Sequence, residues 1–67
     1  MTLKDLLNKC TRKTRIKLII DNGDKDKTTR HYDSAIELYD SVSFRIYKDW
    51  TVDYIQCEND YLVITIF

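Results

Sequence analysis

Residues 61–67 constrain the fold most, because they carry apolar side chains at both odd and even positions. Successive side chains of a β-strand point to opposite faces of the sheet. A strand that is apolar on both faces is typical of the middle of a sheet, or of a strand whose second face contacts a surface outside the fold. We therefore expect a central strand with Leu62, Ile64 and Ile66 on one face and Tyr61, Val63, Thr65 and Phe67 on the other.

Residues 15–21 also alternate, which predicts a strand covered on one side. Asn22-Gly23 follows and is the strongest short signal for a type I′ hairpin turn, since both central residues of that turn need positive φ. The polar partner strand falls within residues 26–32 and is typical of a sheet edge. A turn longer than two residues is also open, because residues 24–27 are all charged. In the first strand Ile16, Leu18 and Ile20 share one face, and Arg15, Lys17 and Ile19 share the other.

The first helix is predicted over residues 3–9, with Thr2 as its cap and Asp5 in its first turn. Apolar side chains at helical spacing form the stripe that would be buried. Its members are Leu3, Leu6, Leu7 and Cys10.

A second helix is predicted over residues 34–47, where Asp33 or Ser34 supplies the cap and Glu37 stands at the capping-box spacing from Ser34. An alternative ends this helix near Ser41 and treats residues 44–47 as extended, because residues 41–44 include β-branched and Ser positions. The continuous helix would bury Ala35, Leu38, Val42 and Ile46, with Tyr39 at the margin.

A further strand at residues 51–57, joined to the last strand by Glu58-Asn59-Asp60, completes an α-β-β-α-β-β order. We expect one α+β domain spanning residues 1–67, with a mainly antiparallel four-stranded sheet and two helices. A chain of this length forms one domain only, and burial of a second apolar surface would help to stabilise it. If no helix covers them, the candidate interface of a homo-oligomer consists of Tyr61, Val63 and Phe67.

Cysteine use and hydropathy indicate a cytoplasmic protein. Cys10 and Cys57 could form one disulfide, but no signal peptide precedes them, and two free thiols in a reducing compartment are the favoured interpretation. The longest unbroken apolar run is residues 61–64, far short of a membrane span.

No residue pattern in the chain favours catalysis. The acidic turn fails the calcium-loop template, which needs glycine at position six and glutamate at position twelve, where Asp26 and Tyr32 stand. His31 has only Asp33 as a local carboxylate, and an edge-strand histidine is the simpler interpretation. We expect a non-enzymatic protein with no metal ion and no cofactor.

Charge is sorted along the chain. Residues 1–20 carry six basic side chains and one acidic one, whereas residues 21–67 carry five basic and ten acidic ones, so a net charge of zero conceals segments of +5 and −5. Clusters of basic side chains neutralise nucleic-acid phosphates, and the candidate nucleic-acid-binding residues are Arg12, Lys13, Arg15 and Lys17. A solvated outer sheet face is the simpler alternative.

The acidic half offers a candidate partner-binding surface. Asp33, Glu37 and Asp40 recur at the spacing of a helical ridge, and tyrosines stand nearby in the sequence. Carboxylates beside aromatic rings can occupy a groove that binds nucleic acid, because they imitate its phosphates and bases. An ordinary soluble helix face is the alternative. The proposed partner-binding residues are Asp33, Glu37, Asp40, Tyr32, Tyr39 and Asp53.

Two segments of the chain carry a resemblance to a known group of proteins. The first is residues 1–7, Met-Thr-Leu-Lys-Asp-Leu-Leu, and the second lies within residues 49–64 and consists of Asp49-Trp50, Val52, Ile55, Glu58-Asn59-Asp60 and Leu62-Val63-Ile64. The chain resembles small accessory proteins encoded in phages and prophages of Gram-positive and gut bacteria. That group includes anti-CRISPR and other anti-defence inhibitors, many of which act by binding alone. The resemblance implies a phage-encoded accessory protein and suggests an anti-defence inhibitor, but it carries over no site residue. The acidic, tyrosine-bearing surface is what points to a nucleic-acid enzyme as the partner.

Two hypotheses of different classes follow. The first is a protein-binding inhibitor that uses the acidic, tyrosine-bearing surface. The second is a small oligomeric nucleic-acid-binding module that uses the basic segment, and a purely structural assembly subunit is a third possibility.

Overall fold

The structure, a computed structural model, describes residues 1–23 and 27–67. They form three short helices and a four-stranded sheet, which confirms the predicted α+β class and the approximate order of elements. The elements are α1 (Leu3–Leu7), β1 (Ile16–Ile20), β2 (Thr28–Tyr32), α2 (Ala35–Tyr39), α3 (Val42–Tyr47), β3 (Val52–Glu58) and β4 (Tyr61–Ile66).

The sheet has the strand order β2-β1-β4-β3 and is mixed. Two antiparallel hairpins, β1–β2 and β3–β4, lie side by side, and β1 and β4 join them as a parallel pair. The predicted central position of the last strand is confirmed, as is the edge position of the polar strand β2. The sequence did not indicate the parallel central pair, because hairpin signals report only on neighbouring strands.

All three helices contribute side chains to one core on one face of the sheet. Ile16 and Ile64 lie in the middle of that core and are fully buried. The remaining members of the cluster are Leu3, Leu6, Leu7, Leu18, Ile20, Ala35, Leu38, Phe44 and Ile66. The opposite face therefore carries no helix among the described residues; we call it the open sheet face.

The start of α1 follows its prediction. Thr2 Oγ1 accepts a hydrogen bond from the Asp5 N–H at 3.2 Å, and the Asp5 carboxylate accepts one from the Thr2 N–H at 3.1 Å. This capping box leaves two N-terminal donors satisfied. The Leu3 N–H donates to the Trp50 carbonyl at 3.0 Å, which ties α1 to the segment before β3.

The continuous helix predicted over residues 34–47 is wrong, because Ser41 interrupts it. Ser41 Oγ donates to the Leu38 carbonyl at 2.6 Å and accepts from the Phe44 N–H at 3.2 Å, so the same side chain bonds the last turn of α2 and caps α3. The alternative is right about the end of α2, but residues 44–47 are helical rather than extended.

The break changes which side chains are buried. Phe44 enters the core, whereas Val42 and Ile46 are 71% and 60% exposed, so their predicted burial is wrong.

The β1–β2 connection has the longer of its two predicted forms. The register pairs Ile20 with Thr28, so the connection exceeds the two residues of a type I′ turn, and among its described residues only Gly23 has a positive φ, +90°. Asp21 Oδ1 accepts from the Gly23 N–H at 3.1 Å, which bends the chain locally. The positive φ pair instead belongs to Asn59 and Asp60, at 47° and 68°, between the paired residues Glu58 and Tyr61. These angles fit a type I′ turn, and Asn and Asp adopt them at low cost.

Candidate functional site

Consecutive helices α2 and α3 expose large apolar side chains. Ile36 and Tyr39 on α2 and Val42 and Ile46 on α3 are all exposed. Single exposed apolar residues are common on soluble proteins, but several on two adjoining short helices are typical of a binding surface. We call this surface, together with its flanking carboxylates Asp33, Glu37 and Asp40, the helix face.

Backbone hydrogen bonds hold all three acidic residues of the helix face, and Glu37 also accepts one through its carboxylate. Glu37 Oε2 accepts from the Asp33 N–H at 3.2 Å, and the Glu37 N–H donates to Ser34 Oγ at 3.3 Å. Asp40 is the C-cap of α2, where its N–H donates to the Ile36 carbonyl at 3.0 Å. Within residues 1–23 and 27–67, no cationic group lies within 4.0 Å of Asp33, Glu37 or Asp40. The helix face therefore keeps three uncompensated negative charges around an apolar centre.

A groove of about 400 Å³ runs between the end of α1 and the side of α2. The Ile36 N–H donates to the Arg12 carbonyl at 3.4 Å, which holds the α1–β1 connection against α2. Arg12 thus lies at the acidic side of the molecule rather than with Arg15 and Lys17. The lining residues are Leu7, Asn8, Cys10, Arg12, Ala35, Ile36, Tyr39 and Asp40.

The predicted acidic set is only partly brought together. Asp33, Glu37, Asp40 and Tyr39 belong to the helix face. Tyr39 also packs on Phe44, with ring centroids 4.7 Å apart. The other two predicted members lie elsewhere: Tyr32 is half-buried on β2 against the core, and Asp53 lies on β3 at the far edge of the sheet.

Asp53 instead belongs to a second, open cavity at the end of the sheet, about 610 Å³ in volume. Asp21 also lines it, but its carboxylate already pairs with the Lys27 ammonium at 3.7 Å. The lining residues are Asp21, Asn22, Gly23, Trp50, Asp53 and Phe67.

On the open sheet face the strand registers place side chains in rows across the sheet. One row runs His31, Lys17, Val63 and Gln56 from edge to edge, and the next runs Thr29, Ile19, Thr65 and Tyr54. Arg15, Tyr61 and Glu58 form a third row at the end where β4 begins.

Polar side chains surround Tyr61 at the end of the open sheet face where β4 begins. The Arg15 guanidinium lies 4.5 Å from the centroid of the Tyr61 ring, and its Nη2 donates to the Tyr61 hydroxyl at 2.9 Å. The His31 ring meets the Tyr61 ring edge-on, with centroids 5.6 Å apart. The Lys17 ammonium lies 4.0 Å from the Glu58 carboxylate. Two cations, an imidazole, a phenol and one carboxylate therefore share this patch, which we call the Tyr61 cluster.

The predicted basic set is divided by the fold. Arg15 and Lys17 share the open sheet face, as expected from strand alternation. Arg12 lines the groove beside α2, and Lys13 is exposed in the connection between them. His31 and Tyr61 complete the basic patch, although the sequence did not connect either residue with it.

The predicted oligomer interface is not one exposed patch in the single chain. No helix among the described residues lies over Tyr61, Val63 or Phe67, yet Val63 on the central strand β4 is only 2% exposed. Tyr61 is half-buried in its cluster, and Phe67 is exposed at the other end of β4. Thr65 is 1% exposed, and its hydroxyl has no hydrogen-bond partner among the described residues.

In the part of the chain that the structure describes, no three or more His, Cys, Asp or Glu side chains are grouped so that they could hold a metal ion. Cys10 is half-buried and Cys57 is exposed, and both thiols are free. Burial raises the pKa of the Cys10 thiol, whose Sγ donates to the Leu6 carbonyl at 3.4 Å. His31 forms no ion pair with Asp33 among residues 27–67. Asp24 and Asp26 of the rejected calcium loop lie outside the described residues.

Comparisons with protein-family models, curated proteins and solved structures find no match for this chain. The resemblance to phage accessory proteins therefore stays a prediction. No helix within residues 1–23 or 27–67 is long and apolar enough to cross a membrane.

Proposed function

We propose that this chain is a non-enzymatic protein-binding inhibitor that docks its helix face onto a basic, nucleic-acid-binding groove of a bacterial protein. A defence nuclease is the class of partner that we propose, with the chain acting in the cytoplasm as a phage-encoded anti-defence protein. The observation that carries the proposal is the helix face itself, where four exposed apolar side chains accompany three carboxylates that have no cationic group within 4.0 Å among the described residues.

This composition supports a protein partner for two reasons. Interfaces between proteins combine an apolar centre, often with an aromatic anchor, and a polar rim. Tyr39 supplies the anchor, and Val42 and Ile46 supply apolar area that contributes little to the core. Asp33, Glu37 and Asp40 give the α2 side of this surface a negative charge, which favours a basic partner and speeds its association. Arg45 on α3 and Arg12 beside Asp40 are the cations next to it.

A capture experiment with two matched baits tests the proposal. The bait D33K/D40K reverses two charges on the helix face, and the control D49K/D53K reverses two exposed charges outside it. Each bait is used to capture proteins from lysates of phage-sensitive bacteria. Nucleic-acid binding by each captured protein is then titrated with the purified chain.

The wild-type chain and the control should capture the same basic protein and displace its nucleic acid. D33K/D40K should inhibit about tenfold less, because the reversed charges now face a basic surface. V42S/I46S should also bind more weakly while keeping its fold, since both side chains are largely exposed. Equal inhibition by D33K/D40K and wild type, or an equal loss with D49K/D53K, would reject the helix face as the contact surface.

A further inference from the structure

The open sheet face has a chemical character different from that of the helix face. Its three rows place Arg15, Lys17 and His31 on adjoining positions, with Tyr61 between Arg15 and the edge hairpin. Cations grouped around an aromatic ring are suited to bind a nucleotide, because the cations contact its phosphate and the ring stacks on its base.

Arg15 and Tyr61 are held in one arrangement before any ligand arrives. The hydrogen bond from Nη2 to the hydroxyl and the contact of the guanidinium with the ring fix the Arg15 side chain at two points. A guanidinium has five N–H donors, so the bond to Tyr61 leaves others free. Both the guanidinium plane and an aromatic face stack on nucleic-acid bases. The pair therefore offers a pre-organised stacking surface.

Lys17 and His31 are Cα partners on neighbouring strands, so their side chains project together beside the Arg15–Tyr61 pair. Glu58 competes for Lys17, but the 4.0 Å pair is partly exposed and such pairs contribute little. A phosphate can displace the carboxylate from the ammonium at small cost. Glu58 still limits the affinity of the cluster for anions, because its negative charge lies beside any phosphate that binds Lys17 and repels it.

The shape of the face favours a single strand over a duplex. A duplex is read by a helix or a two-stranded ribbon inserted into a groove, and all three described helices of this chain pack on the opposite layer. Single-stranded nucleic acid instead spreads over a sheet and stacks its bases on aromatic side chains. Tyr54, 51% exposed on the same face, lies four residues along β3 from Glu58, the partner of Tyr61. At about 3.3 Å per residue this separation is about 13 Å, within reach of a neighbouring nucleotide.

A second copy of the chain fits this face less well. A two-fold contact uses the same patch on both protomers, so it would bring a second Arg15 and Lys17 toward the first pair. Like charges placed together across an interface oppose association. The positive charge of Arg15 and Lys17 therefore favours a polyanionic ligand over a second copy of the chain.

We infer that the Tyr61 cluster binds single-stranded nucleic acid, with Lys17 and His31 against a phosphate and the Arg15–Tyr61 pair against a base. This site is separate from the helix face, and its variants leave the helix face unchanged. The affinity is modest, because few phosphates are contacted and Glu58 opposes them.

Fluorescence anisotropy with labelled fifteen-nucleotide oligo-dT and oligo-U, a DNA duplex of the same length and heparin tests the inference at 50 mM salt and above. Wild type should bind both single strands more tightly than the duplex. The slope of log affinity against log salt should be about −0.7, for the one phosphate that Lys17 and His31 contact. R15Q/K17Q should bind at least about tenfold more weakly, and K9Q, with an exposed lysine of the N-terminal segment outside the cluster, should match wild type.

Glu58→Gln provides the sharpest test, because it should strengthen binding several-fold by freeing Lys17. Weaker or unchanged binding by E58Q would overturn the inference, and so would equal losses in R15Q/K17Q and K9Q. Preference for heparin with no difference among the variants would show unspecific polyanion binding and would also overturn it. The molar mass of wild type in solution is measured alongside. A dimer that R15Q/K17Q strengthens and that excludes the oligonucleotides would assign the face to a second copy instead.

Discussion

Replacement of Thr65 by valine should stabilise this protein, although most core substitutions destabilise. Thr65 lies on β4 in the middle of the open sheet face, where it is 1% exposed and its hydroxyl has no partner among the described residues. A buried polar group without a hydrogen bond costs about 1–3 kcal/mol. Valine has nearly the same shape, so it removes the cost without opening a cavity. We expect the free energy of unfolding to rise by at least about 1 kcal/mol.

For a domain of this length, 1 kcal/mol corresponds to a change in Tm of about 4–8 °C. Thermal and urea unfolding followed by circular dichroism would measure it, with an unchanged m value showing that the unfolded state is unaffected. Thr29→Val is the matched control, because Thr29 lies in the same row of the open sheet face but is exposed on the edge strand. The control should change stability by less than about 0.5 kcal/mol. A lower or equal Tm for T65V would refute the reasoning, since it would mean that the hydroxyl has a partner in solution.

Three further changes test the local structure. Ser41→Ala should lower the free energy of unfolding by about 1 kcal/mol, measured by urea titration, because it removes the cap of α3; no loss would contradict the cap. Iodoacetamide should alkylate Cys57 well before Cys10, as mass spectrometry of the digest would show, because Cys57 is exposed whereas burial raises the pKa of Cys10; equal rates would contradict this. Hydrogen bonds from the Thr2 backbone and side chain lower the pKa of Asp5 below its ordinary 3.8, so its carboxylate stabilises the fold above that pH and the contribution is lost as the pH falls below it. Asp5→Asn should therefore lower Tm at pH 7 but much less at pH 2, and an equal effect at both would refute the linkage.

The strands were predictable because the alternation of apolar side chains can be read within a short segment and determines which face of the sheet each side chain occupies. Residues 61–66 are apolar on both faces, and they lie in the centre of the sheet with Ile64 fully buried on one face and Val63 on the other. Likewise the charged and threonine-rich β2 lies at an edge, where its exposed side chains contact water.

The helical region was mispredicted because Ser41 has two competing roles. In a helix interior serine is only mildly unfavourable, but as a cap it satisfies backbone groups that would otherwise be unpaired. The sequence spacing Ser34-x-x-Glu37 pointed to one helix start, and the second start at Ser41 has no acidic residue at the corresponding position. Whether Val42 or Phe44 is buried depends on whether Ser41 ends one helix and begins the next, because the break changes which side of residues 42–47 packs on the core.

The Asn22-Gly23 connection follows the longer of its two predicted forms. Asn22-Gly23 has the strongest local preference for a type I′ turn. The pairing of Ile20 with Thr28 instead agrees with the longer turn that the charged residues 24–27 left open. Asn59-Asp60 has a weaker preference, but flanking strands with apolar side chains hold the tight turn in place.

The separation of charge along the sequence survives in only part of the molecule, and the sheet topology explains which part. β1 comes from the basic half of the chain, but it lies between β2 and β4 from the acidic half. This places Lys17 within 4.0 Å of Glu58, so the two halves partly neutralise each other on the open sheet face. The α2 segment leaves the sheet after β2, and among the described residues its carboxylates meet no cation. The helix face is therefore one part of the acidic half whose carboxylates have no cationic partner among the described residues, as is also true of Asp49, Asp53 and Asp60. The balance of charge in the Tyr61 cluster depends on the single residue Glu58.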